Sequence, residues 1–414
     1  MKKKLLRISL LVATIAVIFT ACMKDNNTAT EAELSQVTAE EPAQLITYER
    51  SQVIEGQYIV IFKEDVIGGS RASINKSNFA EKKEEMKTFA NSLLNERSIA
   101  PREIMHAYVK TINGVAMKLA DQEVEKLRQD KRIDYIEQDQ MFHVTMGGPP
   151  GGGGGGGDPT QTTPWGVTRV GGAIDGSNAG KAWIIDSGID LDHPDLNVDV
   201  ANSISFLTKG KDYSSPDDGN GHGTHVAGTV GAIDNGIGVI GVAAGAQVVA
   251  VRVLDSKGSG SNSGVIAGVD YVAANASNGD AANMSLGGGV STALDNAVIA
   301  ASAACPFALA AGNESQHANN SSPARANGNN IYTVSSMTST DNWSYFSNYG
   351  NPPVDYCAPG SSVFSTYKGG GYATLSGTSM ASPHVCGILL IGGITSDGTV
   401  SGDPDGNADD IAHH

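Results

Sequence analysis

Residues 160–414 predict an α/β domain, a mostly parallel sheet with helices on both faces. Three observations carry this organisation. Apolar β runs alternate along the chain with helical runs of small residues. Asp186 and Asn313, residues with chemistry to offer, fall at or just past the ends of two such runs, where open parallel sheets place their sites. Upstream, residues 55–146 carry a βαββαβ pattern of their own, which predicts a separate small α+β domain of ferredoxin-like plan. A chain of 414 residues has room for both.

Residues 1–21 read as an export signal: Lys2, Lys3 and Lys4 precede an apolar core, Leu5–Phe19, that is short for a membrane span. Thr20 and Ala21 before Cys22 resemble a bacterial lipobox, although Phe19 stands where that pattern more often has leucine. This implies a lipidated Cys22 and a membrane attachment through the lipid alone. An ordinary cleaved signal with an incidental cysteine is the competing reading. Residues 22–54 are polar and acidic and read as a flexible tether.

Within 55–146, strands are expected at Gln57–Phe62, Met105–Lys110, Gly114–Leu119 and Ile133–Glu137. Asn78–Leu94 repeats Phe79, Met86, Phe89, Ala90, Leu93 and Leu94 at helical spacing, with Asn78 as its cap, and Asp121–Gln129 is a short helix. Residues 147–159 hold the glycine run 151–157 between prolines; no core can form there, so it is a linker. In 160–414 the expected strands are Ala182–Ile185, Val248–Leu254, Ala282–Leu286 and Phe307–Ala311. The expected helices are His222–Ala232, Ser263–Ala274, Thr292–Ala304 and Ser379–Ile391.

The net charge of −16 argues against a nucleic-acid partner, which needs clustered Lys and Arg, and no such cluster occurs outside Met1–Arg7. Besides Cys22 there are Cys305, Cys357 and Cys386. An odd number leaves one free or pairs none; a bridge and buried free thiols both stay open. The tail Asp403–Asp409 alternates carboxylates but lacks the distal Glu of an EF-hand, and reads as a solvated acidic tail.

The chemistry gathers in four stretches. Leu375–His384 is a turn running into a helix with Ser379 at its start, where the helix dipole favours developing negative charge. Serine there is also a common helix cap. Asp186-Ser187-Gly188 ends an apolar run, Gly221–Thr229 contains His222 and His225, and Ala310–Glu314 contains Asn313. Asp186 and Asn313 each have a plain turn role as the alternative. His222 and His225 stand three apart without the intervening Glu of a zinc protease, so no catalytic metal is expected.

These stretches, in this order, closely resemble the subtilisin family of serine proteases from about Gln161 to Leu390. The resemblance implies a Ser379 nucleophile, a His222 base, an Asp186 partner to the imidazole and an Asn313 oxyanion donor. It makes His225 structural, and His384 is read as a buried, hydrogen-bonded histidine. It implies that Gly258, Ser259 and Gly260 on one side, and Ser285, Leu286 and Gly287 on the other, sandwich the substrate chain. Ala311 and Gly312 would then line the first specificity pocket, with its far wall near Asn319–Pro323. A calcium loop is implied too, with Asn235, the carbonyls of Ile233, Ile237 and Val239, and oxygens from Asp195 and Gln161; an Asn-Gly turn is the alternative. The upstream domain resembles the family's propeptide, an intramolecular inhibitor and folding template, cut by the enzyme itself in or near Phe142–Thr160. The implied protein is an exported serine endopeptidase, a monomer acting on proteins or peptides. A catalytically dead peptide-binding relative and a serine esterase are the rivals; the esterase lacks its Gly-x-Ser-x-Gly elbow.

Overall fold

The computed structural model describes residues 41–49, 52–64, 66–144, 160–211 and 213–414. The signal, Cys22, most of the tether and all but Thr160 of the stretch 145–160 lie outside them. Among the described residues no helix is long and apolar enough to cross a membrane.

The N-terminal sheet is built from β1 (Gln44–Ile46), β2 (Val53–Phe62), β3 (Ile104–Tyr108), β4 (Gly114–Lys118) and β5 (Ile133–His143), in the order β1-β5-β2-β4-β3. Strands β2 to β5 are antiparallel neighbours, with α1 (Phe79–Glu96) and α2 (Asp121–Arg128) in the two crossovers, as the βαββαβ pattern requires. Side-chain alternation divides the sheet. Tyr58, Val60 and Phe62 of β2 pack with Met86, Leu93, Leu94 and Leu127 of the two helices. Ile59 and Ile61 point the other way, into a core shared with the second domain.

Two expectations are corrected here. The end of the tether is not free: β1 runs parallel to Tyr135–Glu137, and Tyr48 N–H donates to Gln138 Oε1 at 3.1 Å. Asn78 does not cap α1 with its side chain; its Oδ1 takes the Asn75 N–H instead, at 2.9 Å.

The second domain opens with α3 (Trp165–Arg169) and β6 (Ile174–Asp175). Its centre is β7 (Ala182–Asp186), followed by β8 (Asn197–Val198), β9 (Ile204–Ser205), α4 (His222–Gly231), β10 (Ala243–Ala244) and β11 (Gln247–Arg252). Next come β12 (Ser259–Ser261), α5 (Asn262–Asn275), β13 (Ala281–Met284), α6 (Thr292–Ala301), β14 (Phe307–Ala310), β15 (Ile331–Met337) and β16 (Val354–Pro359). A hairpin of β17 (Val363–Tyr367) and β18 (Gly371–Leu375) leads into α7 (Thr378–Leu390), and β19 (Thr395–Thr399) and β20 (Asp410–His413) close the chain.

The large sheet runs β19-β20-β16-β15-β14-β13-β7-β11-β8, parallel except for β19 against β20. After β7 the chain adds β11 on one side and then crosses to add β13 on the other, so β7 stands at the switch point. Both faces of β7 are buried. Trp183 and Ile185 face α5 and α6, while Ala182 and Ile184 face α4 and α7. The small residues of α4 and α7 let them lie close on the sheet and on each other: Val226, Ala227 and Val230 share one cluster with Ala381, Val385 and Ile388.

The C-terminal expectation holds for residues 404–408, which are exposed, and is corrected at its end. β20 pairs with β16 at Cys357↔Ile411, and Asp409, 1% exposed, accepts from Ser335 Oγ. Apolar Ile411 and Ala412 carry the hairpin into the core. Cys305, Cys357 and Cys386 are free and buried, and burial pushes all three thiols up, Cys386 to about 12, so none is a reactive thiolate near neutral pH.

Candidate active site

Asp186 ends β7 and His222 begins α4, both fully buried. Helix α4 starts against the end of β7 because Gly223 has no side chain: a Cβ there would lie 2.1 Å from the Gly188 carbonyl oxygen. His222 Nδ1–H donates to Asp186 Oδ1 at 2.8 Å, and the Ser187 N–H donates to the same oxygen at 2.7 Å. This bond fixes the tautomer, so Nε2 is the bare nitrogen, and it has no hydrogen-bond partner. Burial pulls the imidazole pKa down, but the charge and hydrogen bond of Asp186 outweigh it, helped by Asp218. The net shift is upward from 6.5.

Asp218 is a residue that the motif reading missed. Its Oδ1 accepts from Ser187 Oγ, Asn220 N–H and Gly221 N–H at 2.9 Å each, and its Oδ2 from Thr224 N–H at 3.0 Å and Thr224 Oγ1 at 2.7 Å. It ties the turn after Asp186 to the first turn of α4. An acid four residues ahead of His222 is the only sequence signal for it.

Ser379 is the second residue of α7 and is 4% exposed. Its Oγ donates to the Ser285 carbonyl at 3.1 Å, and Ser285 Oγ donates back to the Ser379 carbonyl at 2.7 Å. The hydroxyl therefore bonds Ser285 rather than His222 in this structure. The Thr378 N–H and hydroxyl both donate to Asn313 Oδ1, at 2.8 and 3.1 Å. That pins the amide of Asn313 to the start of α7 with its oxygen side identified. Leu286, Gly287, Ala311, Gly312 and Asn313 line one small pocket with Ser379; its far wall is Ser321 and Ala324.

The cleft is filled by the chain itself. β5 adds to β12 as an antiparallel strand, with Ser259↔His143, Gly260↔Phe142 and Ser261↔Met141, and the Val144 N–H donates to the Gly258 carbonyl at 2.8 Å. Phe142, 1% exposed, lies with its ring 3.4 Å from where a Gly288 Cβ would stand. Among the described residues the inserted strand forms a ladder with the Gly258–Ser261 side only. On the other side Ser285 is tied to α7, Gly288 pairs with Ser322, and Gln140 Nε2 reaches the Val290 carbonyl at 2.9 Å.

Buried carboxylates fasten the two domains around this insertion. Glu137 of β5 accepts from Ser291 Oγ and the Ala293 N–H at the start of α6. Asp139, two residues on and on the same face, accepts from the Ser263 N–H at the start of α5. Both exploit the free N–H groups and positive end of a helix. In return, Asp270 of α5 accepts three consecutive backbone N–H groups, Val109 to Thr111, at 2.7–3.0 Å. Burial raises all three carboxyls, Glu137 to about 7.

The proposed calcium donors come together in one place. Asp195 accepts from the Val239 N–H at 3.0 Å and Asn235 Nδ2 at 3.1 Å, and Gln161 Oε1 accepts from Asn235 N–H and Gly236 N–H. Ile233 and Ile237 flank them through backbone bonds to Asp195 and to Asn235 Oδ1. Oxygen is the only donor atom in this set, with one carboxylate, which fits a hard cation. His225 and His384 are buried with carbonyl partners, Val363 and Ala373 for the first and Met380 for the second, and burial holds both imidazoles low, at about 3 and about 4.

Residues 183–391 match the subtilase family, and residues 57–145 match the peptidase inhibitor I9 family. The alkaline serine exoprotease A of Vibrio alginolyticus is 38% identical over 386 residues, covering 90% of this chain and 66% of its own length. The extracellular serine proteinase of Thermus sp. strain Rt41A is 38% identical over 84% of this chain and 83% of its own. The crystal structure of a cold adapted subtilisin-like serine proteinase superposes with a TM-score of 0.53 at 40% identity, covering 60% of this chain and 97% of that one. A strand-order switch at Asp186, an imidazole held by it, a serine at a helix start and an inhibitor domain laid in the cleft thus meet in one molecule, and this chain belongs to the subtilase family of serine-type endopeptidases.

Proposed function

We propose that this chain is an exported serine endopeptidase made as a zymogen that frees itself by cutting behind β5. The carrying observation is the seating of Met141–Val144 on Gly258–Ser261 as an added strand. In the reaction Ser379 Oγ attacks the peptide carbonyl carbon as its proton passes to His222 Nε2. The Asn313 amide and the Ser379 N–H stabilise the oxyanion, and His222 returns the proton to the leaving amine as the C–N bond breaks. Water, deprotonated by the same imidazole, then releases the acyl group. The Vibrio and Thermus relatives, named as an exoprotease and an extracellular proteinase, favour action outside the cytoplasm, and the lipobox-like Cys22 favours a lipid tether there.

β5 runs antiparallel to β12, and Val144 meets Gly258 and, across it, Asn220, two residues before His222. Val144 ends the ladder beside Asn220, two residues before the base, so the first carbonyl past it, that of Thr145, is the proposed target. Intact mass of purified Met23–His414 over time is expected to yield Met23–Thr145 and a chain beginning at Met146. A first cut inside the glycine run would overturn this register.

After the cut the inhibitor domain is held more tightly while Glu137 keeps its proton. Glu137 rises from 4.5 to about 7 on docking, so its contribution is full below about pH 4.5 and is lost as pH rises through 7. Between pH 6 and 8 this group alone weakens docking about tenfold. Glu137→Gln keeps an oxygen for the Ala293 N–H, with its NH₂ donating to the Ser291 hydroxyl, but cannot titrate, and its inhibition constant is expected to vary less over that range.

Calcium at Gln161, Asp195 and the 233–239 loop would fasten the domain's N-terminal segment to the loop after α4. At a thousandfold excess over its Kd an ion stabilises by about 4 kcal/mol, or on the order of 10 °C in Tm. Chelation is expected to lower Tm by such an amount in the processed enzyme, and Gln161→Ala to shrink that response.

A further inference from the structure

Residues 43–49 and Gln52 precede the inhibitor-family region, residues 57–145, yet belong to the same fold. Ala43 makes two bonds to Arg128 at the end of α2. Its N–H donates to the Arg128 carbonyl at 2.8 Å, and its carbonyl accepts from Arg128 Nε at 2.7 Å. β1 then lies parallel to residues 135–137 of β5, and the Tyr48 N–H reaches Gln138 Oε1. The Gln52 carbonyl accepts the Met141 N–H at 3.1 Å. These residues thus follow β5 from Tyr135 to Met141, the stretch that carries Glu137 and Asp139 and leads into the cleft.

Alternation gives the segment two faces. Ala43 and Leu45 pack on the inhibitor's own core. Ile46 packs on the core shared with the protease domain. Tyr48, next on that face, is half-buried with its hydroxyl out of water, and the groups that act on the hydroxyl are Glu137, the Thr292 backbone and Asp295. Gln52 Oε1 comes within 3.4 Å of where a Gly289 Cβ would stand. Residues 289–292 join the substrate-binding segment 285–287 to α6. Glu137 bonds Ser291 Oγ and the Ala293 N–H at this join, and Gln140 reaches the Val290 carbonyl. Glu137 is fully buried while Tyr48 is half-buried, so the ring stands between that carboxyl and water. Hydrogen bonds to α6 are stronger for that exclusion.

We propose that residues 43–49 are an inhibitory strap, a segment ahead of the inhibitor-family region that seats Tyr48 on the start of α6 and tightens the inhibitor's hold on the protease. This role rests on residues 55–146 acting as the protease's inhibitor, and it adds a contact outside them. Loosening the strap weakens the hold without touching the cleft, where β5 keeps its ladder to Ser259–Ser261. A strap that only completed the inhibitor's own sheet would act through Ala43 and Leu45. The seat on α6 puts the weight on Tyr48 instead, and the two roles differ in what they do to amides on the protease side.

Two measurements on Met23–His414 test this. In the self-processed complex, protease activity on a small peptide is followed on dilution, which gives the inhibition constant. Tyr48→Ala is expected to raise that constant about tenfold or more. Tyr48→Phe, which keeps the ring, is expected to stay within about threefold of the parent. The second measurement is amide hydrogen exchange in the uncut Ser379→Ala chain, so it does not depend on self-processing. There Tyr48→Ala is expected to speed exchange about tenfold at Ala293, whose N–H bonds Glu137, and to leave Ala116 in β4 unchanged. A chain that never cuts itself shows as constant mass and counts against the processing reading alone. An inhibition constant unmoved by Tyr48→Ala overturns the strap. So does an Ala293 amide as protected as in the parent, or exchange that rises equally at Ala116.

Discussion

Ser379→Ala is expected to lower kcat on a peptide substrate by on the order of 10⁶ and to leave the chain unprocessed. The substitution removes one oxygen, whose hydrogen bond in this structure goes to the Ser285 carbonyl. Alanine suits the start of a helix already made of small residues, and the reciprocal bond from Ser285 Oγ to the Ser379 carbonyl stays. Stability should therefore change by no more than about 1 kcal/mol, the worth of one lost hydrogen bond. What disappears is the covalent route. A residual rate of roughly 10³ over the uncatalysed reaction should persist from the oxyanion donors and the strand-binding cleft. Turnover above about one per cent of the parent, with a normal Tm, would mean that another group makes the acyl-enzyme.

The sequence made the skeleton of this site readable for a physical reason. β7, β11, β13 and β14 are buried on both faces and must be continuously apolar. Helices α4 to α7 must be made of small residues to lie on them. Both patterns show without any knowledge of pairing, and the structure places these elements within a few residues of the expected ranges. The turn residues Asp186, His222, Asn313 and Ser379 sit at the ends of such elements, but it is the resemblance to the subtilisin family, not their position, that singles them out. What stayed hidden depends on distant partners. β1 is three residues long and has a reason to be a strand only once Tyr135–Glu137 lies beside it. Asp218 looks like any acid in a glycine-rich turn until five donors are seen converging on it. The tail from Asp403 to Asp409 reads as solvated and largely is; the burial of Asp409 is created by Ser335 of another strand, which the local sequence does not show. The register of Phe142 and Val144 in the cleft is likewise a contact between domains, and no local pattern records it.

Asp186→Asn is expected to cost on the order of 10⁴ in kcat/KM, and its pH profile is the more telling measurement. Asp186 Oδ1 holds two donors, the His222 Nδ1–H and the Ser187 N–H. The backbone donor cannot move, so an asparagine must keep its oxygen there, which leaves its NH₂ where Oδ2 now lies, buried and without a hydrogen-bond partner. The ring orientation is therefore strained rather than abolished, and the main loss is the negative charge that supports the imidazolium formed during attack. The same charge sets the pKa of the base. In the parent, burial lowers His222 and Asp186 more than reverses it, so the neutral, active imidazole accumulates only as pH rises through a value above 6.5. In the variant burial is left with less opposition, the imidazole pKa falls, and the acid limb of kcat/KM should move to lower pH while the plateau drops. Ser379→Ala lowers the plateau too, but it leaves both the Asp186 charge and its bond to His222 in place. A plateau drop with a stationary limb in Asp186→Asn would separate the titrating group from His222 and require a different base.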